Sequence, residues 1–78
     1  MTRKNVNIQL TNDEAIVLFD FLGRFNENND SQRFEDQAEQ RVLWDIENIL
    51  EKELSEPFLA DYLQIVKNAR ENVRDRKE

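Results

Sequence analysis

The chain has 78 residues, a net charge of −6, and neither cysteine nor histidine. A chain of this length forms one domain, residues 1–78, close to the lower limit at which a single apolar core holds a chain folded. Without cysteine and histidine it has no disulfides and lacks the usual ligands of zinc, haem and iron–sulfur sites. We therefore expect no cofactor and no metal. One glycine and one proline, among many good helix formers, predict a helical fold.

The N-terminus does not have the pattern of a signal peptide. It reads Met-Thr-Arg-Lys-Asn, and no long apolar run follows. The longest apolar stretch, residues 15–19, is far too short to span a bilayer. These features predict a cytoplasmic protein with no membrane association.

The negative charge is concentrated in the middle of the chain. Residues 12–36 carry seven acids against two arginines, and residues 37–56 carry six acids against two bases. Nucleic-acid binding needs a basic face, so this distribution argues against a nucleic-acid partner. Solvated acidic surface accounts for most of these charges, and a basic protein partner would be favoured.

The N-terminal arm, residues 1–11, contains the only strand-like pattern. Val6, Ile8 and Leu10 alternate with polar residues, which is typical of a short strand with one buried face. A lone strand leaves its backbone groups without partners. The arm is therefore either an extended segment lying on the helices or a strand that pairs with another chain.

The first helix is predicted over residues 12–25. Thr11 and Glu14 have the spacing of a capping box, in which each side chain bonds the backbone amide of the other residue. At about 100° per residue, one face of this helix carries Ala15, Leu18, Phe19 and Leu22. A second apolar side carries Val17, Phe21 and Phe25. A helix this apolar is expected to be central to the fold or to an assembly.

A polar connection, which Phe34 interrupts, leads to a second helix predicted over residues 36–54. Its apolar face carries Ala38, Val42, Leu43, Ile46, Ile49, Leu50 and Leu54, and Trp44 points roughly the opposite way. Glu53 lies within the apolar face, where Arg70 or Arg74 of the next helix could meet it.

Ser55, Glu56 and Pro57 interrupt the helical pattern, because proline disfavours helix at the preceding residue. A third helix is predicted over residues 59–74, with an apolar face of Phe58, Tyr62, Ile65, Val66, Ala69 and Val73. The expected fold is therefore an all-α three-helix domain with an extended or single-strand N-terminal arm.

Catalytic patterns are missing from the sequence, and we expect no catalytic residues. Nucleophilic catalysis needs a nucleophile beside a base, but the serines, Ser31 and Ser55, lie in connecting segments and have no histidine to activate them. Carboxylates three or four residues apart occur in any acidic helix. The oxygen-rich connection at residues 26–36 lacks the glycine that an EF-hand loop requires. A non-enzymatic protein is the prediction.

The opening of the chain resembles that of ribbon-helix-helix repressors. Arg3 and Lys4 precede the alternating segment, and a capped amphipathic helix follows. In that family two strands pair across a dimer and enter the DNA major groove. The resemblance implies that Arg3, Lys4, Asn5, Asn7 and Gln9 would face DNA, since Asn and Gln pair well with adenine.

This resemblance covers only about residues 3–22. The family has a shorter second helix after a tight turn, whereas this chain has a long acidic connection and about five turns of acidic helix. The alternating segment also lacks basic residues of its own. A dimeric DNA-binding regulator is thus the alternative function, and the acidic charge weighs against it.

Taken whole, the chain resembles a family of small bacterial helical proteins of unknown activity. The residues that carry this resemblance are Leu10-Thr11-Asn12-Asp13-Glu14-Ala15, Leu18-Phe19, Phe21-Leu22, Ala38-Glu39-Gln40-Arg41, Leu43-Trp44, Leu50-Glu51-Lys52, Glu56-Pro57-Phe58 and Asp61-Tyr62. It implies a bacterial origin and a compact helical fold.

Packing the apolar faces of the second and third helices on the first face of helix one builds the predicted three-helix core, and more apolar surface is present than this core needs. Val17, Phe21 and Phe25 of the first helix, together with Trp44, are predicted to form an interface, because exposed aromatic patches usually mark binding sites. The partner is a protein or a second copy, and a two-fold homodimer is the simplest choice. The alternative is internal: the arm and Phe34 could cover these side chains.

Overall fold

The computed structural model describes residues 4–27 and 33–76, which form three α-helices. Helix α1 spans Asn12–Glu27, α2 spans Gln37–Glu53 and α3 spans Tyr62–Arg74, with a short 3₁₀ turn at Glu56–Phe58 before α3. The predicted all-α three-helix fold is confirmed. None of the helices in these two ranges is long and apolar enough to cross a membrane.

Two polar side chains define where the first two helices begin. The capping box forms as predicted: the amide of Glu14 donates to Thr11 Oγ1 at 3.1 Å, and the amide of Thr11 donates to Glu14 Oε1 at 2.9 Å. The hydrogen bond from the amide of Thr11, followed by the one from the guanidinium of Arg76, lowers the pKa of the Glu14 carboxyl. At α2, the carboxylate of Asp36 accepts from the amide of Ala38 at 2.8 Å.

Helix α3 begins later than predicted. Pro57 lies in the 3₁₀ turn, and the amide of Leu59 closes that turn by donating to the carbonyl of Glu56 at 3.0 Å. Leu59 then adopts an extended conformation, so the α-helix starts only at Tyr62. Placing Phe58 on the core face of α3 was therefore wrong, and its side chain is 75% exposed.

Helix α1 lies at the centre of the fold. It packs against both α2 and α3, whereas those two helices make few contacts with each other. The buried core draws on all three helices and on the residue that ends α2: Ala15, Ile16, Leu22, Leu50, Leu54, Val66 and Ala69. Ile16, absent from the predicted face of α1, is among the most buried, because α3 covers a second side of this helix.

The described part of the arm, residues 4–11, has neither helix nor strand. Val6, Ile8 and Leu10 line a groove with side chains of α1 and α2. Val6 and Ile8 are nevertheless mostly exposed, so pairing of the arm with another chain stays a prediction.

Candidate functional site

Three phenylalanines form a cluster where α1 approaches the start of α2. Phe21 and Phe25 stack with ring centroids 5.6 Å apart, and Phe34 meets Phe25 edge-on at 5.8 Å. The guanidinium groups of Arg24 and Arg33 lie 5.8 and 5.9 Å from the centroids of Phe21 and Phe25. Phe34 thus covers part of Phe25, as expected if the chain itself covers these side chains. Phe21 remains exposed.

The four residues predicted to form an interface have different surroundings. Phe21 and Phe25 share the aromatic cluster, whereas Val17 is half-buried and packs against the core. Trp44 is exposed on α2 and takes part in neither ring contact. Their role in binding stays a prediction.

The residues predicted to face DNA lie along the arm. Lys4, Asn5, Asn7 and Gln9 are all exposed, and Arg3 lies outside the described residues. Lys4 is the only basic side chain in residues 4–11.

A further apolar surface lies between the arm and α2. A groove of about 480 Å³ has Val6, Ile8 and Leu10 of the arm as one wall. The helices contribute Leu18, Ile46, Ile49 and Leu50. A second depression of about 470 Å³, lined in part by Phe34, Ala38 and Val42, lies closer to the start of α2. We call these two neighbouring depressions together the arm–α2 groove.

The groove exists because α2 does not turn the centre of its apolar face toward α1. Its contact side includes a polar residue, Glu47, whose carboxylate accepts a 2.7 Å hydrogen bond from Asn26 of α1 and lies beside Gly23. With Glu47 turned inward, Ala38, Val42 and Ile49 are left outside, and Ile49 is 59% exposed. Assigning these three residues to the core was wrong.

Charged side chains of both signs border the exposed face of α2. At 100° per residue, Asp45 and Glu53 lie about 40° to either side of Ile49. Both are exposed. Glu53 does not form the expected ion pair, because Arg70 binds Asp20 at 2.9 Å and Arg74 binds Asp75 at 3.3 Å. The exposed Lys52 and Arg41 lie about 60° and 80° from Ile49, on the same side as Asp45, and Arg33 lines the groove beside Glu39. The arm–α2 groove is therefore apolar, with charges of both signs around it.

A polar junction on the other side of α1 joins this helix to α3. The carboxylate of Asp20 accepts hydrogen bonds from the hydroxyl of Tyr62 at 3.2 Å, from Arg70 at 2.9 Å and from Arg24 at 3.2 Å. Burial of the hydroxyl, followed by the nearby charge of Asp20, raises the pKa of Tyr62 to about 12. The junction orients α3 on α1 and has no groove beside it for a ligand among the cavities described.

Tyr62 gives a direct test of this junction, since it is the only tyrosine in the chain. We expect its phenol to ionise near pH 12 in the folded protein, against an ordinary pKa of 10.0. Because the folded state holds this proton more tightly, the stabilisation is complete below pH 10 and is lost as the pH rises toward 12. Ultraviolet absorbance of tyrosinate measures the titration.

The matched variant for this titration is Asp20→Asn, which keeps the size of the side chain and removes its charge. Its tyrosine should titrate closer to the ordinary value, since one of the two main causes of the shift is gone. An unchanged titration in this variant would show that Asp20 does not face the phenol.

Comparison with models of protein families, with curated proteins and with solved structures gives no match. The resemblance to small bacterial helical proteins stays a prediction. Among the described residues, no three acidic side chains lie close enough together to hold a metal ion.

Proposed function

We propose that this protein is a non-enzymatic interaction module that self-associates by burying its arm–α2 groove. The observation that carries the proposal is the exposure of Ile49 beside Val6 and Ile8 of the arm, with Val42 exposed about two turns earlier on α2. Large contiguous apolar patches on soluble domains usually mark interaction sites. The proposed surface thus differs from the one predicted around Val17 and Phe21.

Burial of apolar side chains that are exposed to water in the single chain would stabilise an assembly. Fully burying one valine or isoleucine side chain stabilises a fold or a complex by roughly 1.5–3 kcal/mol. Val6, Ile8, Val42 and Ile49 each expose more than half of their surface, so a partner covering the groove would recover several kcal/mol. Part of that gain offsets the loss of translational and rotational freedom on association.

A second copy is the proposed partner, and a homodimer is the smallest such assembly. Small domains without disulfides or metals often gain the missing burial by oligomerising. The buried core described here contains two alanines among seven residues, so much of the chain's apolar surface lies outside it. A cytoplasmic location belongs to the same proposal.

The test compares the wild type with two variants that carry the same added charge. Light scattering across a range of concentrations should show the wild type rising above the 9.4 kDa mass of one chain. Ile49→Glu places a carboxylate inside the groove and should weaken association by about 10- to 100-fold, the equivalent of one lost apolar side chain.

Asn48→Glu is the control for this experiment. It adds the same charge at an exposed neighbouring position, about 100° around α2 from Ile49, and should associate nearly as well as the wild type. A wild-type chain that stays monomeric at every concentration would refute the proposal.

The ribbon-helix-helix alternative stays a prediction. It would use the arm's outward Asn5, Asn7 and Gln9 on DNA, yet the net charge of −6 opposes approach to phosphate.

A further inference from the structure

Three consecutive residues at the start of α1, residues 12–14, each contact a different point in the last third of the chain. The side-chain amide of Asn12 donates to the carboxylate of Glu56 at 2.8 Å, in the turn that precedes α3. Near the end of α3, the side-chain amide of Asn72 donates to the carboxylate of Asp13 at 3.1 Å. The start of α1 is thus tied to both ends of α3.

Glu14 makes the third contact and also holds the end of the arm. Its Oε2 accepts from the guanidinium of Arg76, just beyond α3, at 2.9 Å. Its Oε1 accepts from the backbone amide of Thr11, the last residue of the arm, at 2.9 Å. One carboxylate therefore joins the segment after α3 to the point where the arm meets α1. We call the three contacts of residues 12–14 the clasp.

The two glutamates of the clasp are stabilised as charged carboxylates. The hydrogen bond from Asn12 is the first of the effects that lower the pKa of the Glu56 carboxyl. For Glu14, the amide of Thr11 lowers the pKa most, and the hydrogen bond from Arg76 comes next. Hydrogen bonds to a charged group are stronger than those between neutral groups. The clasp is therefore held by charge-assisted hydrogen bonds.

Before Thr11, little else holds the arm in place. Within the described part of the chain, residues 4–10 form no hydrogen bond, ion pair or ring contact. Val6 and Ile8 are 85% and 78% exposed, so they pack only slightly against the helices. The direction in which the arm runs past α2 therefore depends on how its last residue is anchored to α1.

We propose that the clasp is a conformational device that couples the end of α3 to the position of the arm. When the clasp is closed, the arm is held as one wall of the arm–α2 groove. When the contact between Glu14 and Arg76 opens, the arm moves more freely and the groove loses that wall. The coupling exists within one chain, whereas its use to control self-association rests on the proposed function.

The contact between Glu14 and Arg76 can open readily. The two side chains are 27% and 44% exposed, so water competes for both. Losing an exposed ion pair shifts an equilibrium by up to about fivefold. Salt screens such a pair and should favour the open form. The contact is therefore weak enough to be reversible under ordinary solution conditions.

The test measures the distance between the arm and α2 within one chain. The chain has no cysteine, so Gln9→Cys and Asn48→Cys introduce two unique sites for spin labels. Both positions are exposed, one on the arm and one on α2. Pulsed electron paramagnetic resonance on labelled chains, diluted in unlabelled ones, gives the distribution of this distance. One main distance is expected in the wild-type background.

Arg76→Gln should increase the population with a displaced arm by up to about fivefold, which appears as a second, broader component. Arg74→Gln is the matched control. It removes the same charge two residues earlier, where the guanidinium contacts the adjacent Asp75, and should leave the distribution unchanged. Rising salt should broaden the distribution of the wild type more than that of Arg76→Gln.

Glu14→Gln tests the coupling from the other side of the contact. The amide oxygen of glutamine can still accept from the amide of Thr11, so the cap is kept while the charge that Arg76 binds is lost. This variant should broaden the distribution as Arg76→Gln does, and combining the two changes should add little. Circular dichroism checks that every variant keeps the helical content of the wild type.

The outcomes separate this inference from the proposed function, because the distance is measured within one chain. If Arg76→Gln and Glu14→Gln leave the distribution unchanged, or if Arg74→Gln broadens it equally, the coupling is wrong, whether or not the chain self-associates. If the distribution broadens as expected but light scattering finds only monomers, the coupling stands and the proposed self-association fails.

Discussion

Replacing Ile16 with alanine is expected to leave the isolated domain largely unfolded. Ile16 is only 2% exposed and belongs to the core that α1 shares with its neighbours. Truncating a buried isoleucine to alanine costs about 2–5 kcal/mol. A domain of this size rarely has more than about 3–5 kcal/mol of stability from its core. The loss is therefore comparable with the whole free energy of unfolding.

Urea denaturation followed by circular dichroism measures this effect, at the lowest usable concentration so that association contributes little. Val17→Ala is the control, because it changes the adjacent residue of the same helix, which is only half-buried. Val17→Ala should lower the free energy of unfolding clearly less than Ile16→Ala does. The gain in helix propensity is similar in the two variants, because both introduce alanine. Equal effects at the two positions would contradict the placement of Ile16 in the core.

Enlarging Ala69 to leucine is expected to destabilise the domain by about 1–3 kcal/mol. Ala69 is 1% exposed, the most buried residue of α3, and lies in the core that this helix shares with α1. The added carbons have no space there, so α3 must shift away or its side chains must leave their preferred rotamers. Leucine is a good helix former, so the cost reflects packing rather than helix propensity.

Asn68→Leu is the matched control for this prediction. It introduces the same side chain one position earlier, where the residue is exposed and only its hydrogen bond with Gln64 would be lost. Its free energy of unfolding should stay within about 0.5 kcal/mol of the wild type. A stable Ala69→Leu variant would mean that α3 lies farther from the core than its burial indicates.

Packing of this kind explains why the core was only partly predictable. The faces of an isolated helix follow from its sequence, and Ala15 and Leu22 were correctly placed in the core of α1. Ile16 was missed because it becomes buried only when a second helix covers another side of α1. The residues next to Ile16 in the sequence do not indicate on which side of α1 the third helix packs.

The exposed apolar surface was less predictable than the core. Excess apolar surface was expected at Val17, Phe21, Phe25 and Trp44, and Phe21 and Trp44 are indeed exposed. Further exposed apolar side chains, which were not expected, lie on α2 and at the start of α3. The apolar pattern of α2 predicts that Val42 and Ile49 lie in the core. Such a pattern identifies the apolar face of a helix, but it does not show which part of that face a neighbouring helix covers. The covered side carries Leu43, Leu50 and Glu47, and the hydrogen bond from Asn26 to Glu47 joins residues far apart in the chain.

By itself, the sequence determined the helical class, the capped start of α1 and the break at Pro57, because these depend on local propensities and on hydrogen bonds between near neighbours. Only the tertiary structure decided how far α2 turns on α1, that Asp20 rather than Glu53 binds Arg70, and which apolar side chains stay in water. These features arise from contacts between distant residues. Such contacts form only when whole helices pack, and packing balances all their side chains at once.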